Sequence, residues 1–287
     1  MKPGVLVISH GSREAEWVRL VDEAVAAVSS SDAVRRSTSE QLENGREVRK
    51  KLTIGGVPVP VVSSFLEIVE GRLIQDGIDQ LEAEGITDLY VLPFFVSSGS
   101  THVDDIAQAF GQPPVSMRRE GELERFRWHA DTRIHFGQPI NDDEAIAELL
   151  HANIRELIET PERERLLLVA HGSREAGFYG RWREGMTLLA ERMRELGGFA
   201  GADIAMLLPN QAACVMKAVQ RKRPDEAIIV VPLFLSDGYF TRTVIPMRLD
   251  GLIYRYNGRA MLPHPCVTRW MERQINEWLV GLHIGHD

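Results

Sequence analysis

Two cysteines in 287 residues leave no basis for a disulfide scaffold. Cys214 and Cys266 form no C-x-x-C pair, so the spacing of a zinc finger or an iron–sulfur cluster is missing too. Both are expected to be buried as small apolar side chains in a reducing compartment. No apolar run approaches the roughly 18 residues that a bilayer span needs. The run after Lys2 is too short for a signal peptide, so no membrane association and a cytoplasmic location are expected. No G-x-x-x-x-G-K-[ST] loop is present, which removes the usual phosphate cradle of ATP-driven enzymes. The G-x-S-x-G elbow of α/β hydrolases is missing as well. A net charge of −8 argues against non-specific nucleic-acid binding, and it obliges any anionic ligand to find a local group of arginines.

What remains is the composition of a soluble globular chain, 44% hydrophobic and 26% charged, with length enough for two domains. The hexapeptide HGSREA occurs at residues 10–15 and again at 171–176, each time after a short aliphatic run. An identical hexapeptide in the same context indicates internal duplication. It also puts His10 and His171 at the C-terminal tips of buried strands, where open α/β sheets build their sites.

Unbroken apolar runs at 4–9, 57–65, 89–96, 166–170, 203–208 and 227–235 suit strands covered on both faces. Between them lie helical stripes. Trp17, Leu20, Val21, Ala24 and Val28 form one; Phe178, Trp182, Met186, Leu189, Met193 and Leu196 form another; Met271, Ile275, Trp278 and Leu282 mark a C-terminal helix. The expected fold is α/β, with two similar doubly wound domains and mostly parallel sheets. The join is placed at 139–141, giving domains 1–140 and 141–287, the second opening on a helix at 142–159. A polar segment at 29–56, with Arg35, Arg36, Arg46, Arg49, Lys50 and Lys51, interrupts the first domain and reads as a solvated excursion.

A second repeated block, VLPFFVSSGSTHVDDI at 91–106 against VVPLFLSDGYFTRTVI at 230–245, aligns Pro93 with Pro232, Ser97 with Ser236 and Gly99 with Gly238. Each proline is expected to end its strand. The Ser-x-Gly that follows is expected to form a turn with free amides, able to hold an anionic group. His102 has Thr241 as its counterpart, so only the first half carries two strand-tip histidines. If their strands lie close together, His10 and His102 face one cleft. Two imidazoles make a weak, open metal site, poor for structural zinc and suited to holding an ion briefly. Glu67, after the 57–65 run, is a candidate third ligand or proton acceptor; Glu70 is better read as starting the next helix.

HGSR, the FLE element at 65–67 and the LPFF…S-x-G…H…DI block together resemble the sirohydrochlorin chelatases. These class II chelatases insert cobalt or iron into sirohydrochlorin. The resemblance covers nearly the whole chain, as in longer members built like fused copies of one domain. It implies a cobaltochelatase or ferrochelatase, a lyase that needs no ATP and no permanently bound cofactor, serving cobalamin or siroheme synthesis. Co²⁺ or Fe²⁺ would be substrate beside the tetrapyrrole. Carried over by residue, the catalytic pair falls on His10 and His102, which also bind the metal, and the acidic residue on Glu67. The second half keeps His171, but has Thr241 and no carboxylate in its MLLPN segment, so it would be degenerate and complete the cleft. Arg13, Arg174 and Arg242, with Arg118 and Arg119, are candidates for the substrate carboxylates, helped by the amides of Ser97, Ser98 and Gly99. Since one chain supplies both walls, a monomer is expected. His135 and His264 read as structural or cleft-edge, and His129 and His151 as surface residues. His283 and His286 lie in a tail expected to fray. The rival readings are a metal or tetrapyrrole carrier without turnover and a hydrolase using His10 and Ser12.

Overall fold

The computed structural model describes residues 1–29, 53–54 and 57–284. Most of the 29–56 segment with its basic residues, His286 and the side chain of His283 lie outside the described residues. The first half runs β1 (Pro3–Ser9), α1 (Ala15–Ser29), a short antiparallel pair β2 (Thr53–Ile54) and β3 (Val57–Pro58), then β4 (Val61–Phe65), α2 (Ile74–Ala83), β5 (Asp88–Pro93), α3 (Thr101–Ala109) and β6 (Arg133–Phe136). The second half opens on α4 (Glu144–Asn153), shorter than the helix expected at 142–159, and continues as β7 (Glu164–Gly172), α5 (Phe178–Gly197), β8 (Gly201–Leu208), α6 (Ala212–Lys222), β9 (Ala227–Pro232), a π-helical turn (Phe240–Val244) running into α7 (Ile245–Arg248), and α8 (Pro265–Ile284).

Both main sheets are parallel, ordered β4-β1-β5-β6 and β8-β7-β9. The halves share one plan, with the first strand in the middle and the strand bearing the proline block beside it. A single parallel bridge, Ile229 to Arg255, stands where β6 pairs with β5. Alternate residues of each central strand feed opposite cores. Leu6 and Ile8 meet α2 and α3 through Ile78, Leu81, Val103 and Ile106. Val5 and Val7 join Leu166 and Leu168 of β7 in one apolar core between the two sheets. On the far side, Leu167 and Val169 pack with Met216 and Ile245. Strands buried on both faces explain the unbroken apolar runs.

The prolines end their strands: β5 stops at Pro93 and β9 at Pro232. The run 57–65 is two strands rather than one, because proline cannot donate to a ladder and both Pro58 and Pro60 fall within it. β6 was not legible as a strand; it is four residues long and none of its side chains is fully buried. The C-terminal helix crosses between halves. α4 packs on α5, whereas α8, last in the chain, lies on α1 and β5 of the first half. There Trp278 stacks on Tyr90 with centroids 4.9 Å apart, and fully buried Trp270 packs on Phe94. The two halves are therefore one packed body.

Candidate metal-handling site

β1 ends at Ser9, so His10 is the first residue past the central strand of its sheet. Gly11 follows with φ +97°, and a Cβ there would fall on the carbonyl of Glu67; only glycine fits. This close approach locks the two tips together. The amide of Leu66 donates to the Ser9 carbonyl at 2.8 Å and that of Glu67 to the His10 carbonyl at 3.2 Å. Directly after Glu67 the chain reverses. The Val69 amide donates to the Glu67 carbonyl at 2.9 Å around Ile68, whose φ is +73°. A β-branched residue in the left-handed region costs about 1–3 kcal/mol and persists only where its surroundings impose it, commonly at functional sites. Here it fixes the Glu67 side chain beside His10, with Oε1 3.6 Å from Nδ1. His10 Nδ1 is also 3.2 Å from the Gly11 carbonyl. A proton on Nδ1 serves both acceptors, which leaves Nε2 with its lone pair for an incoming ion.

His102 comes from the neighbouring strand, on the second residue of α3. Because β5 pairs directly with β1, the α3 entry lies beside the β1 tip. The two imidazoles meet edge to face, with centroids 4.6 Å apart and planes at 85°. Burial, and then the neighbouring His10, hold the His102 pKa below its ordinary value, against Asp105, Glu67 and Glu122. Its helix N-terminus adds a partial positive charge that also favours the neutral ring. The structure thus brings His10, His102 and Glu67 together at one sheet edge. Among the described residues, no group of three or more His, Cys, Asp or Glu is arranged to hold a metal ion. The site is open, not a preformed cage.

The other candidates fare differently. Arg13 and Arg174 are exposed in loops at the strand tips, and Arg242 is exposed on the π-helical turn 240–244, where a polyanion can reach them. The expected free amides of the Ser-x-Gly turns are not free. Ser98 N–H donates to Asn141 Oδ1 at 2.8 Å, Gly99 N–H to Ser97 Oγ at 3.0 Å, and Gly238 N–H to Thr241 Oγ1 at 3.0 Å. A Cβ on Gly99 would strike the Phe178 carbonyl and Trp182, so this turn packs one half on the other. Arg118 is exposed, but Arg119 is mostly buried in ion pairs. It pairs with Asp105 on α3, lies 3.7 Å from Glu175 in the second half, and covers the Phe178 ring at 5.8 Å. His135 lies 3.4 Å from Asp88 and against Trp278, as a structural residue does. His151 is half-buried against Phe199 instead of lying on the surface. Cys266 is buried, but Cys214 is exposed, since it falls on the outer face of α6. Two features had no simple sequence signal: the strain at Ile68, and the Asp105–Arg119 pair that anchors the His102 helix.

The second half repeats the scaffold with different residues at two of the three positions. His171 Nδ1 is 3.2 Å from the Gly172 carbonyl, as in His10, and a Cβ on Gly172 would fall on the Leu208 carbonyl. Leu208 therefore occupies the place of Glu67. Thr241, in the place of His102, is buried and bonded to Gly238.

Comparison with known proteins bears on the family and the fold. The family model for CbiX matches residues 4–157 and 165–278. A sequence search of functionally curated proteins finds no match. Among solved structures, SirB from Bacillus subtilis with Fe³⁺ has a TM-score of 0.68 at 19% identity, over 96% of this chain and 95% of that one. SirB from Bacillus subtilis subspecies spizizenii, a sirohydrochlorin chelatase in complex with cobalt, has a TM-score of 0.62 at 18% identity, over 96% and 95%. CbiX, described as the terminal enzyme for siroheme biosynthesis in denitrifying bacteria, has a TM-score of 0.53 at 16% identity, over 96% and 99%. With its duplicated fold and a family match over both halves, the chain belongs to the CbiX family.

Proposed function

We propose that this protein is an ATP-independent chelatase that inserts a divalent metal, Co²⁺ or Fe²⁺, into sirohydrochlorin for cobalamin or siroheme synthesis. The observation that carries this reading is the His10–His102 pair beside Glu67 at the tip of adjacent parallel strands. Metallation exchanges M²⁺ for the two pyrrole N–H protons, so the reaction is redox-neutral and releases two protons. His10 and His102 receive the ion through imidazole nitrogens, in a site too sparse to retain it against four ring nitrogens. Glu67 and the imidazoles take up the leaving protons and pass them to water. Arg13, Arg174 and Arg242 bind substrate carboxylates by charge-assisted hydrogen bonds. No cofactor is permanently bound, and the metal is a substrate.

The test is anaerobic metallation of sirohydrochlorin followed by absorbance with each metal. Acceleration over the protein-free rate supports the reading. Tight binding of sirohydrochlorin or metal without acceleration makes the protein a carrier instead.

A further inference from the structure

The second half has lost the acid and one histidine, and it has gained aromatic rings in the same place. The strand registers bring Tyr239 and Phe240 to the positions that Ser100 and Thr101 hold at the α3 entry. Phe240 stacks on Phe234 at 5.5 Å and 14°, and stands edge-on to His171 at 5.2 Å. Tyr239 adjoins it at 5.9 Å. Tyr239 is 67% exposed and Phe240 37%, so neither serves mainly as core.

The backbone beneath them is specialised. Residues 240–244 form a π-helix, whereas the counterpart in the first half is ordinary α-helix. Such turns are rare and recur at functional sites. Thr241 braces this one: its hydroxyl accepts from the Gly238 amide, and its carbonyl accepts from the Tyr256 hydroxyl at 2.7 Å. Phe240 is thereby held outward with Phe234 behind it.

Charge around the rings points to an anionic planar ligand. Arg242 and Arg174 are exposed on the two segments that carry the rings and His171. Asp237 comes no nearer than 3.8 Å to Arg242, and it already accepts from the Ala260 amide. This patch adjoins the metal-handling half. Glu175, four residues past His171, lies 3.7 Å from Arg119, and the start of α5 packs on Gly99, three residues before His102.

We propose that Tyr239 and Phe240, flanked by Arg174 and Arg242, form the platform on which the tetrapyrrole macrocycle stacks, while ion handling stays with the first half. This rests on the chelatase reading and assigns the degenerate half its task. Aromatic rings prefer offset stacking on a conjugated plane, and guanidinium groups pair with carboxylates at its rim.

The test is titration of the full-length, metal-free protein with sirohydrochlorin, read by its visible absorbance. Tyr239→Ala with Phe240→Ala should weaken Kd about 10-fold or more. Phe240→Trp should bind as wild type does, and Co²⁺ binding without tetrapyrrole should be unchanged in both. Tyr239→Ala alone removes a mostly exposed ring and keeps the test valid if the double variant unfolds; a severalfold weaker Kd is expected. If wild type binds and metallates sirohydrochlorin while the Tyr239 and double variants bind it equally well, the platform is overturned and the chelatase reading stands. If wild type does not bind sirohydrochlorin, both fall.

Discussion

His10 and His102 lie 92 residues apart in sequence (102 − 10) and 4.6 Å apart between ring centroids, because the strands that deliver them are hydrogen-bonded neighbours. His10 opposes protonation of His102, since two imidazolium ions at that distance repel. An imidazole nitrogen free of its proton is what an incoming divalent ion requires.

The first prediction concerns acid. Burial and His10 keep the His102 pKa below the ordinary histidine value of about 6.5. Below that pH the unfolded chain binds its proton more readily than the folded one, so this group's stabilising effect is complete above about pH 6.5 and fades as pH falls through the folded pKa. His151 and His264 shift in the same direction, so the specific readout is the His102 ring resonance of the metal-free protein by NMR. It should titrate below pH 6.5. Titration at or above that value would contradict the description of the site.

Glu67→Gln keeps the shape and removes the charge beside His10. Metallation should slow about 10- to 100-fold with little change in unfolding midpoint, because the Glu67 side chain is 53% exposed. A stopped-flow absorbance trace gives the rate.

Ile68→Gly should relieve the left-handed backbone at that position. The folded state gains about 1 kcal/mol from lost strain, set against a similar entropic loss, so denaturant midpoints should hardly move. Metallation should fall severalfold, as Glu67 is no longer held by a stiff turn. An unchanged rate would show that the turn plays no positioning part.

Arg119→Ala leaves the Asp105 carboxylate buried without its guanidinium partner. A loss of about 3 kcal/mol in urea unfolding is expected, and Asp105→Asn in the same background should cost far less than it does alone. Additive effects of the two changes would mean that the pair is not coupled.

Rebuilding the missing ligands should not create a second site. Thr241 is 1% exposed and bonded to its own turn, so Thr241→His overpacks that turn at a cost of about 1–3 kcal/mol. Even with Leu208→Glu added, equilibrium dialysis should show no more Co²⁺ bound per chain than for wild type.

The site was legible in sequence where backbone geometry constrains residue type. The glycine of each HGSREA is required because a side chain there would meet the neighbouring strand, and the prolines mark where β5 and β9 end. Those two constraints place His10 and His102, and Thr241 in the place of His102 distinguishes the second half. Features set by tertiary context were not legible. The crossing of α8 onto the first sheet depends on packing between distant helices. The Ser97–Gly99 turn looks like an anion nest, yet Asn141, brought in from the α4 entry, takes one of its amides. Arg119 reads as one more loop arginine until Asp105 and Phe178 are seen around it.

The most direct measurement compares His10→Ala, His102→Ala and His171→Ala in single-turnover metallation of sirohydrochlorin with Co²⁺ and with Fe²⁺. The first two should lose about 10²-fold or more in rate, while His171→Ala keeps most of it. Equal losses in all three, or none, would contradict a single metal-handling site in the first half.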